Sequence, residues 1–493
     1  MSMKKPQKIP LFEYQNSISI SDTGIIEGEF NDFLDKVWEK RPKSAYFRDI
    51  KSESDEPEEF DKDIDTVQKF ISFFGKSTNR ALKATKYVGV IHYKNKVSNQ
   101  DYVFNLLPKI FYTGNKDIDD SLERLGFIQQ HILWYLSYSK RFKFPKLDSS
   151  FNKLKFDSFF EVLVWMFAAF TRDLLTKLIY QNYTEINNEI PFLKGRLNIN
   201  EYIKNNLCTG NWTKLNCTYD SFEIDNQLNR IIKFVAKLLH QVSKVSDNKK
   251  LLHEISFILD EVTDVQATAA GCERVKINPL FSELQTVLDY CKLFLSNSMI
   301  YTYKNDLKVF AFLIPMEKIF EEFVAGFMEK HKLQIFDGKS VEIKTQASDK
   351  YLAYKNADPK KDIYQLKNDI LIKIDDASII IDTKYKLAYL NQKNEIVPAQ
   401  SDMYQMLSYA VRRGCDKVCL IYPATINENE HPFPTENPDY LMKDEFVFDK
   451  LVSAYILKIP IIAPNCEKIN FSDLNIDLSN HFRLFFNKIF TGS

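Results

Sequence analysis

The stretch NDILIKIDDASIIIDTKYK, residues 368 to 386, constrains the fold of this chain more than any other. Ile370, Ile372 and Ile374 alternate with other residues, and Asp375-Asp376-Ala377 supplies a turn. Ile379 to Tyr385 then forms a second β-branched, apolar run, so the spacing predicts a β-hairpin. Side chains two apart on a strand share a face, which points Asp382 and Lys384 the same way. An antiparallel return brings Asp369, at the start of the first strand, alongside Asp382. Two carboxylates and an ammonium then converge at one end of a small sheet.

Like charges held that close are unfavourable unless something compensates them. A Mg²⁺ ion does so directly, because it takes a few carboxylate oxygens and keeps waters for a substrate phosphate. The ion polarises a phosphodiester, while a neighbouring lysine holds or deprotonates the attacking water. Asp369, Asp382 and Lys384 together point to metal-assisted hydrolysis of a nucleic-acid backbone. Taken alone, D-x12-D-x-K equally describes a surface hairpin with solvated charges, so the neighbouring elements decide.

After the hairpin, AQSDMYQMLSYAVRRG (399 to 414) has Met403, Met406, Leu407 and Ala410 at helical spacing and Gly414 as a stop signal. A short apolar strand, Lys417 to Tyr422, ends at Pro423. Upstream, PMEKIFEEFVAGFMEKH (315 to 331) reads as an amphipathic helix buried through Ile319, Phe320, Phe323, Val324 and Phe327. Helix, strand, strand, helix, strand resembles the core of the PD-(D/E)XK nucleases. Gln405 and Tyr409 match the QxxxY element of some branches and lie on one helix face, four residues apart.

Lys plus Arg equals Asp plus Glu at 66 each, a formal net charge of zero. A protein that grips DNA unaided usually carries a basic excess, so neutrality points to local basic patches or to a partner that holds the DNA. Seven scattered cysteines argue against a disulfide framework and for a reducing cytosol. Cys415 and Cys419 have no second Cys or His pair at metal-ligand spacing, which argues against zinc. No apolar run approaches ~18 residues and MSMKKPQKIP lacks a signal-peptide core, so a cytoplasmic protein with no membrane association is expected. No Walker A loop is present, so the chain hydrolyses no nucleotide through a P-loop.

The expected fold class is α+β and multidomain. Residues 1–115 read as a β-containing domain with a helical insertion at 30–83, whose acidic patch SESDEPEEFDKDID reads as a solvated loop. Strands are expected at Ser17–Ile20 and Tyr87–Tyr93, and a third apolar run, Tyr102–Tyr112, is interrupted by Pro108. Residues 116–310 read as mainly helical and partner-docking, with a central aromatic helix within Phe151–Tyr180 and a helix capped by Asp225. Residues 311–493 form the expected α/β nuclease domain.

YVGVI…LLPKIFY, FLKGRLN, EIDNQLNRIIK, IFEEFV, NDILI, IDTKYK and DMYQMLSYA occur in the order found in the McrC family. This family comprises the nuclease subunits of McrBC-type, modification-dependent restriction systems of anti-phage defence. The resemblance spans about residues 87 to 423. It implies a Mg²⁺-dependent endonuclease whose N-terminal part docks on and stimulates a hexameric AAA+ GTPase ring resembling McrB. The ring would read modified double-stranded DNA and move it, and a self-dimer through the nuclease domain belongs to the same expectation.

By the resemblance, Asp369 and Asp382 match the metal-binding acids and Lys384 the catalytic lysine. Glu321 falls at the first-helix glutamate, as a further metal or hydrogen-bonding group, although Glu317 and Glu322 are equally available surface acids. Gln405 is a candidate to orient phosphate, and Tyr409 a candidate DNA contact, with core packing the alternative for both. Lys386 is a candidate phosphate contact or a solvated strand residue. Arg196 could reach a partner's nucleotide or acidic surface but reads more readily as a structural salt bridge, and Arg412, Arg413 and Lys417 could line the DNA path but read more readily as solvated charge. The residue before Asp369 is Asn368 rather than proline, and the insertion at 30–83 and the tail after 430 have no assigned role. Two other functions fit the same residues: a self-sufficient nuclease needing no ring, and a non-catalytic adaptor that only activates the GTPase.

Overall fold

The structure, a computed structural model, describes residues 6–39, 70–75, 80–95, 100–139, 158–303, 307–355, 361–374, 377–387, 397–428, 442–448, 452–464 and 469–491. The acidic patch at 52–65, the hairpin turn at 375–376 and the start of the aromatic run at 151–157 lie outside the described residues. The chain falls into two units, one made of Met1–Phe159 with Asn297–Ser493 and the other of Phe160–Ser296. Helices and several separate sheets occur together, as expected of an α+β protein.

The first unit contains three sheets. In the five-stranded one, β1 (Gln7–Phe12), β6 (Asp101–Leu107), β5 (Tyr87–Lys94), β11 (Leu307–Pro315) and β10 (Ser298–Tyr303) lie in that order. β6 stops where Pro108, which has no N–H to donate, passes the chain into a single 3-10 turn at Lys109–Phe111. A small sheet of β2 (Ser17–Ser19), β4 (Ala81–Ala84) and β3 (Ile71–Phe74) lies nearby in sequence. The third sheet holds the hairpin and runs β12 (Val341–Lys355), β13 (Lys361–Ile374), β14 (Ala377–Thr383), β15 (Lys417–Pro423), β17 (Val452–Ile459) and β16 (Met442–Phe448).

The N-terminal and C-terminal segments share this unit because β11 pairs antiparallel with β5 and leads directly into the helix Met316–Lys330. Residues beyond 430, without a role on sequence grounds, complete the fold. β16 and β17 extend the third sheet, and the helix Phe471–Thr491 packs on the helix Leu122–Leu136. Trp134 Nε1 donates to Asn475 at 3.1 Å, its ring stacks on Phe471, and Tyr135 Oη donates to the Ile461 carbonyl at 2.9 Å.

The second unit is not purely helical. The helices Gln227–Val242, Ser246–Ile258 and Ser282–Asn297 accompany the aromatic helix Phe159–Lys177, nearly all of which belongs here. With them comes an antiparallel sheet of β7 (Asn182–Ile190), β9 (Leu215–Glu223) and β8 (Arg196–Leu197). Asp225 does not cap the Gln227–Val242 helix; Asn226 does, accepting from the Asn229 amide at 3.1 Å. Asp225 instead takes a two-pronged ion pair from Arg230 at 2.7 and 2.8 Å. Gly195, between Phe192 and β8, has φ +67°, and a Cβ there would meet the Thr218 carbonyl oxygen at 2.3 Å, so the KGRLN turn requires glycine.

Candidate active site

β13 and β14 pair antiparallel with Ile370 opposite Ile381 and Ile374 opposite Ala377. One step further along that register sets Asp369 opposite Asp382, as the alternation predicts, although Asp369 lies within a 14-residue strand rather than at its start. On the face of the sheet that carries these acids, Leu371, Ile380, Leu420 and Ile456 pack under Met406, Tyr409 and Ala410 of the helix Gln400–Arg413. Gly414, at φ 66°, ends that helix in the left-handed cap its position predicts. The alternation 380, 382, 384 thus runs from an apolar row into a polar pocket roofed by the helix's first turns.

Three acceptors surround the Lys384 ammonium. Its Nζ lies 2.6 Å from Asp382 Oδ2, 3.0 Å from Gln405 Oε1 and 3.4 Å from Asp402 Oδ1. The Gln405 contact is a hydrogen bond, and the two carboxylates are ion-pair partners. Gln405 is held in turn, since its amide donates to Tyr409 Oη at 2.8 Å and that hydroxyl donates to the Lys367 carbonyl at 3.0 Å. Asp369 Oδ2 accepts from both the Thr383 amide and its hydroxyl, at 2.8 and 2.7 Å. Glu321 Oε2 pairs with Lys318 Nζ at 3.1 Å.

Burial sets the electrostatics. Asp382 is only 4% exposed, and burial followed by the charge of Asp369 pushes its carboxyl up to about 7. Asp369 keeps a margin of exposed surface, yet burial and then the charge of Glu321 raise it to about 6, against the two Thr383 hydrogen bonds. Burial also raises Glu321, with Lys318 opposing it. For Lys384 burial works against the charge, but Asp382 and then Asp402 outweigh it and hold its pKa above the ordinary lysine value. The pocket therefore carries a fixed positive charge beside two acids that repel each other.

That donor set fits a hard divalent cation. Two neighbouring carboxylates offer oxygen ligands, their repulsion is what a cation relieves, and Mg²⁺ fills its remaining positions with water. Among the described residues no three His, Cys, Asp or Glu side chains form a closed metal cage. Asp369 and Asp382 are thus the pair that would hold the ion, with Glu321 near enough for Asp369 to feel its charge.

The remaining sequence candidates are distributed as follows. Tyr409, a candidate DNA contact, is 3% exposed with its hydroxyl engaged inside, so it braces Gln405 and does not reach a surface strand of DNA. Lys386 is half-buried, 3.5 Å from Asp402 Oδ2. Arg413 is not solvated charge: its side chain is 6% exposed and bonds Asn368 Oδ1, the Ala347 carbonyl and Asp349. It thereby fixes the strand position just before Asp369. Arg196 is exposed and makes no ion pair among the described residues.

Asp402 was missed on sequence grounds. It is buried, sits three residues before Gln405, and meets both lysines of KYK. Its only signal is the D-x-x-Q spacing, which puts both side chains on one helix face.

The family model for the McrBC 5-methylcytosine restriction system component matches residues 82–423. No curated protein matches the chain. Among solved structures, the chain is similar to one from a half-complex of the tetradecameric assembly of Thermococcus gammatolerans McrB AAA+ hexamers with bound McrC. That likeness has 18% identity and a TM-score of 0.64, and covers 98% of this chain and all of the other. A cryo-EM structure of the Thermococcus gammatolerans McrBC complex is matched at 20% identity and a TM-score of 0.46, over 66% of this chain and 88% of the other.

Proposed function

We propose a function from one premise: this chain belongs to the McrBC 5-methylcytosine restriction system component family, whose model spans its residues 82–423. The chain is the Mg²⁺-dependent DNA endonuclease subunit of a GTP-dependent restriction complex, with a PD-(D/E)XK centre on β13 and β14. It docks on an AAA+ GTPase ring resembling McrB, stimulates it, and cuts the modified double-stranded DNA that the ring delivers. The observation that carries this reading is the convergence of Asp369, Asp382 and Lys384 in one buried pocket. A scaffold has no need to hold repelling carboxylates together in this way.

Each residue then has a task. Asp369 and Asp382 hold Mg²⁺, which when bound supplies the charge that polarises a phosphodiester. Thr383 fixes the orientation of Asp369 through two donors on one oxygen. Lys384, kept cationic by Asp382 and Asp402, steadies negative charge as it builds on the phosphate. Gln405 holds the ammonium from the helix side, and Tyr409 locks Gln405. Lys386, just past the strand and 3.5 Å from Asp402, shares that acid with Lys384 and is offered for a neighbouring phosphate.

Partner docking has its own support in the second unit. Around β7, β8 and β9, Tyr183, Phe192, Leu193, Ile199, Trp212 and Phe222 are all more than half exposed. Exposed aromatic groups gathered on one small sheet are unusual on a free surface and suit a protein interface. The direct test is Asp382→Ala in the complex with the ring. It should abolish DNA cleavage and leave stimulation of the GTPase intact; continued cutting would remove the site assignment.

A further inference from the structure

The centre on β14 leans on a buried polar contact that the proposed chemistry does not use. Glu13, just past β1, is 1% exposed, and its Oε2 accepts from the Lys109 amide at 3.1 Å. Lys109 in turn places its ammonium 5.1 Å from the centre of the Tyr385 ring. Tyr385, flanked by Lys384 and Lys386, is 3% exposed, and its ring lies 5.8 Å from that of Phe320, the neighbour of Glu321. Glu13 thus reaches Tyr385 through Lys109, and burial followed by the Glu13 charge holds the Tyr385 hydroxyl well above the ordinary tyrosine value. Glu317, on the Glu321 helix, also adds to the field at Glu13.

The contacts of the two neighbours explain why this matters. Lys384 points into the pocket under the Gln400–Arg413 helix, whereas Tyr385 meets Lys109 and Phe320. The chain has left the ladder by then: β14 ends at Thr383, and Lys384 keeps two backbone bonds, its amide donating to the Ile421 carbonyl at 2.8 Å and its carbonyl accepting from the Lys386 amide at 2.9 Å. Past the end of the strand, Tyr385 is the next buried side chain anchoring the backbone that carries Lys384.

We propose that Glu13 and Lys109 are positioning residues that, by gripping Tyr385, hold Lys384 in register with Asp382. The inference rests on the nuclease reading. It makes the N-terminal sheet a working part of the centre rather than only a docking element.

The test uses the full chain with its GTPase ring, modified DNA and Mg²⁺, following single-turnover cleavage, DNA concentration dependence, stimulated GTPase rate and thermal midpoint. Glu13→Ala should lower the maximal cleavage rate about tenfold, since a misplacement near 1 Å is costly at a reacting centre. The concentration for half-maximal cleavage and the GTPase rate should stay unchanged. Glu13→Gln, which still accepts from the Lys109 amide, should restore most of the rate, and Tyr385→Phe, which keeps the ring under the Lys109 ammonium, should fall between. Wild-type cleavage by Glu13→Ala would overturn the proposal. Equal loss in Ala and Gln, accompanied by lower GTPase stimulation and thermal midpoint, would also overturn it by revealing a purely structural role. Asp382→Ala separates the two readings: if it cuts, the nuclease assignment fails; if it is dead while Glu13→Ala is normal, only the positioning role fails.

Discussion

The third sheet of the first unit buries charge, whereas the small sheet of the second exposes apolar rings. Asp382 is 4% exposed and Asp402 6%, while Trp212 is 67% exposed and Tyr183 70%. Each arrangement is costly in isolation. Burying carboxylates raises their pKa and stores repulsion, and leaving large aromatic faces in water forgoes burial of roughly 25 cal/mol per Å². In the proposed function a bound cation would relieve the first cost and a docked protein surface the second, so substitutions in one region should spare the other.

The sharpest break is at Asp382. Asp382→Ala removes an acid that would hold Mg²⁺ and a direct partner of Lys384, so cleavage should fall at least about 10³-fold. GTPase stimulation by the same protein should match wild type, because the proposed docking surface is the second unit, not this centre. The converse variant, Phe192→Ala with Trp212→Ala, should weaken ring binding by roughly tenfold or more, in line with about 1–2 kcal/mol for each exposed aromatic anchor. Stimulation measured against subunit concentration checks this, and an unshifted curve would place the docking surface elsewhere. Its thermal midpoint should hold, since neither side chain is buried.

How far these regions were legible in the sequence follows from their physics. A hairpin buried on both sides reads as near-continuous apolar runs, so Ile370 to Ile372 and Ile379 to Ile381 announce it, and the two-residue period of a strand then fixes where Asp369 and Asp382 meet. β7, NYTEINNEI, has mostly exposed side chains and so no apolar alternation, which is why that region reads only as helical. Asp402 and Glu13 carry no local pattern at all. Their roles come from packing partners 18 and 372 residues away, Lys384 and Tyr385, and sequence spacing does not encode such contacts. Tyr409 was visible as a helix-face partner of Gln405, but its direction, inward to the Lys367 carbonyl, depends on the sheet beneath it.

A smaller effect sharpens the first region. Asp402→Asn keeps an oxygen acceptor for Lys384 but removes the charge shared between Lys384 and Lys386. Cleavage should drop about tenfold, with Gln405 and Asp382 still holding the ammonium. Asp402→Ala should cost more, because one N–H of Lys384 is then left without an acceptor. Equal activity in Asn, Ala and wild type would show that the third acceptor is idle.

The least effect is on stability, and its sign depends on which groups are buried. Asp369, Asp382 and Glu13 are raised to about 6, 7 and 7. The folded state thus holds their protons more tightly than the unfolded chain, and their contribution is full below pH ~4 and lost as pH rises through 6 to 7. His131 and His481 are lowered to about 4 by burial, so their contribution is present above pH ~6.5 and lost as pH falls. Lys384, raised above the lysine value, is charged in both states across this range and adds no slope. Without metal, the thermal midpoint should fall by a few degrees from pH 6 to pH 8, because the three acids lose more over that range than the two histidines gain. Mg²⁺ should restore the midpoint most at pH 8, where the carboxylates are ionised and the cation offsets their repulsion. Asp382→Asn should flatten the alkaline fall in chelator and blunt the Mg²⁺ effect, while the Phe192→Ala, Trp212→Ala variant should follow the wild-type curve. A midpoint in chelator that climbs from pH 6.5 to 8 would mean that the acids of the third sheet are not held together, and the contrast between the two regions would lose its charged half.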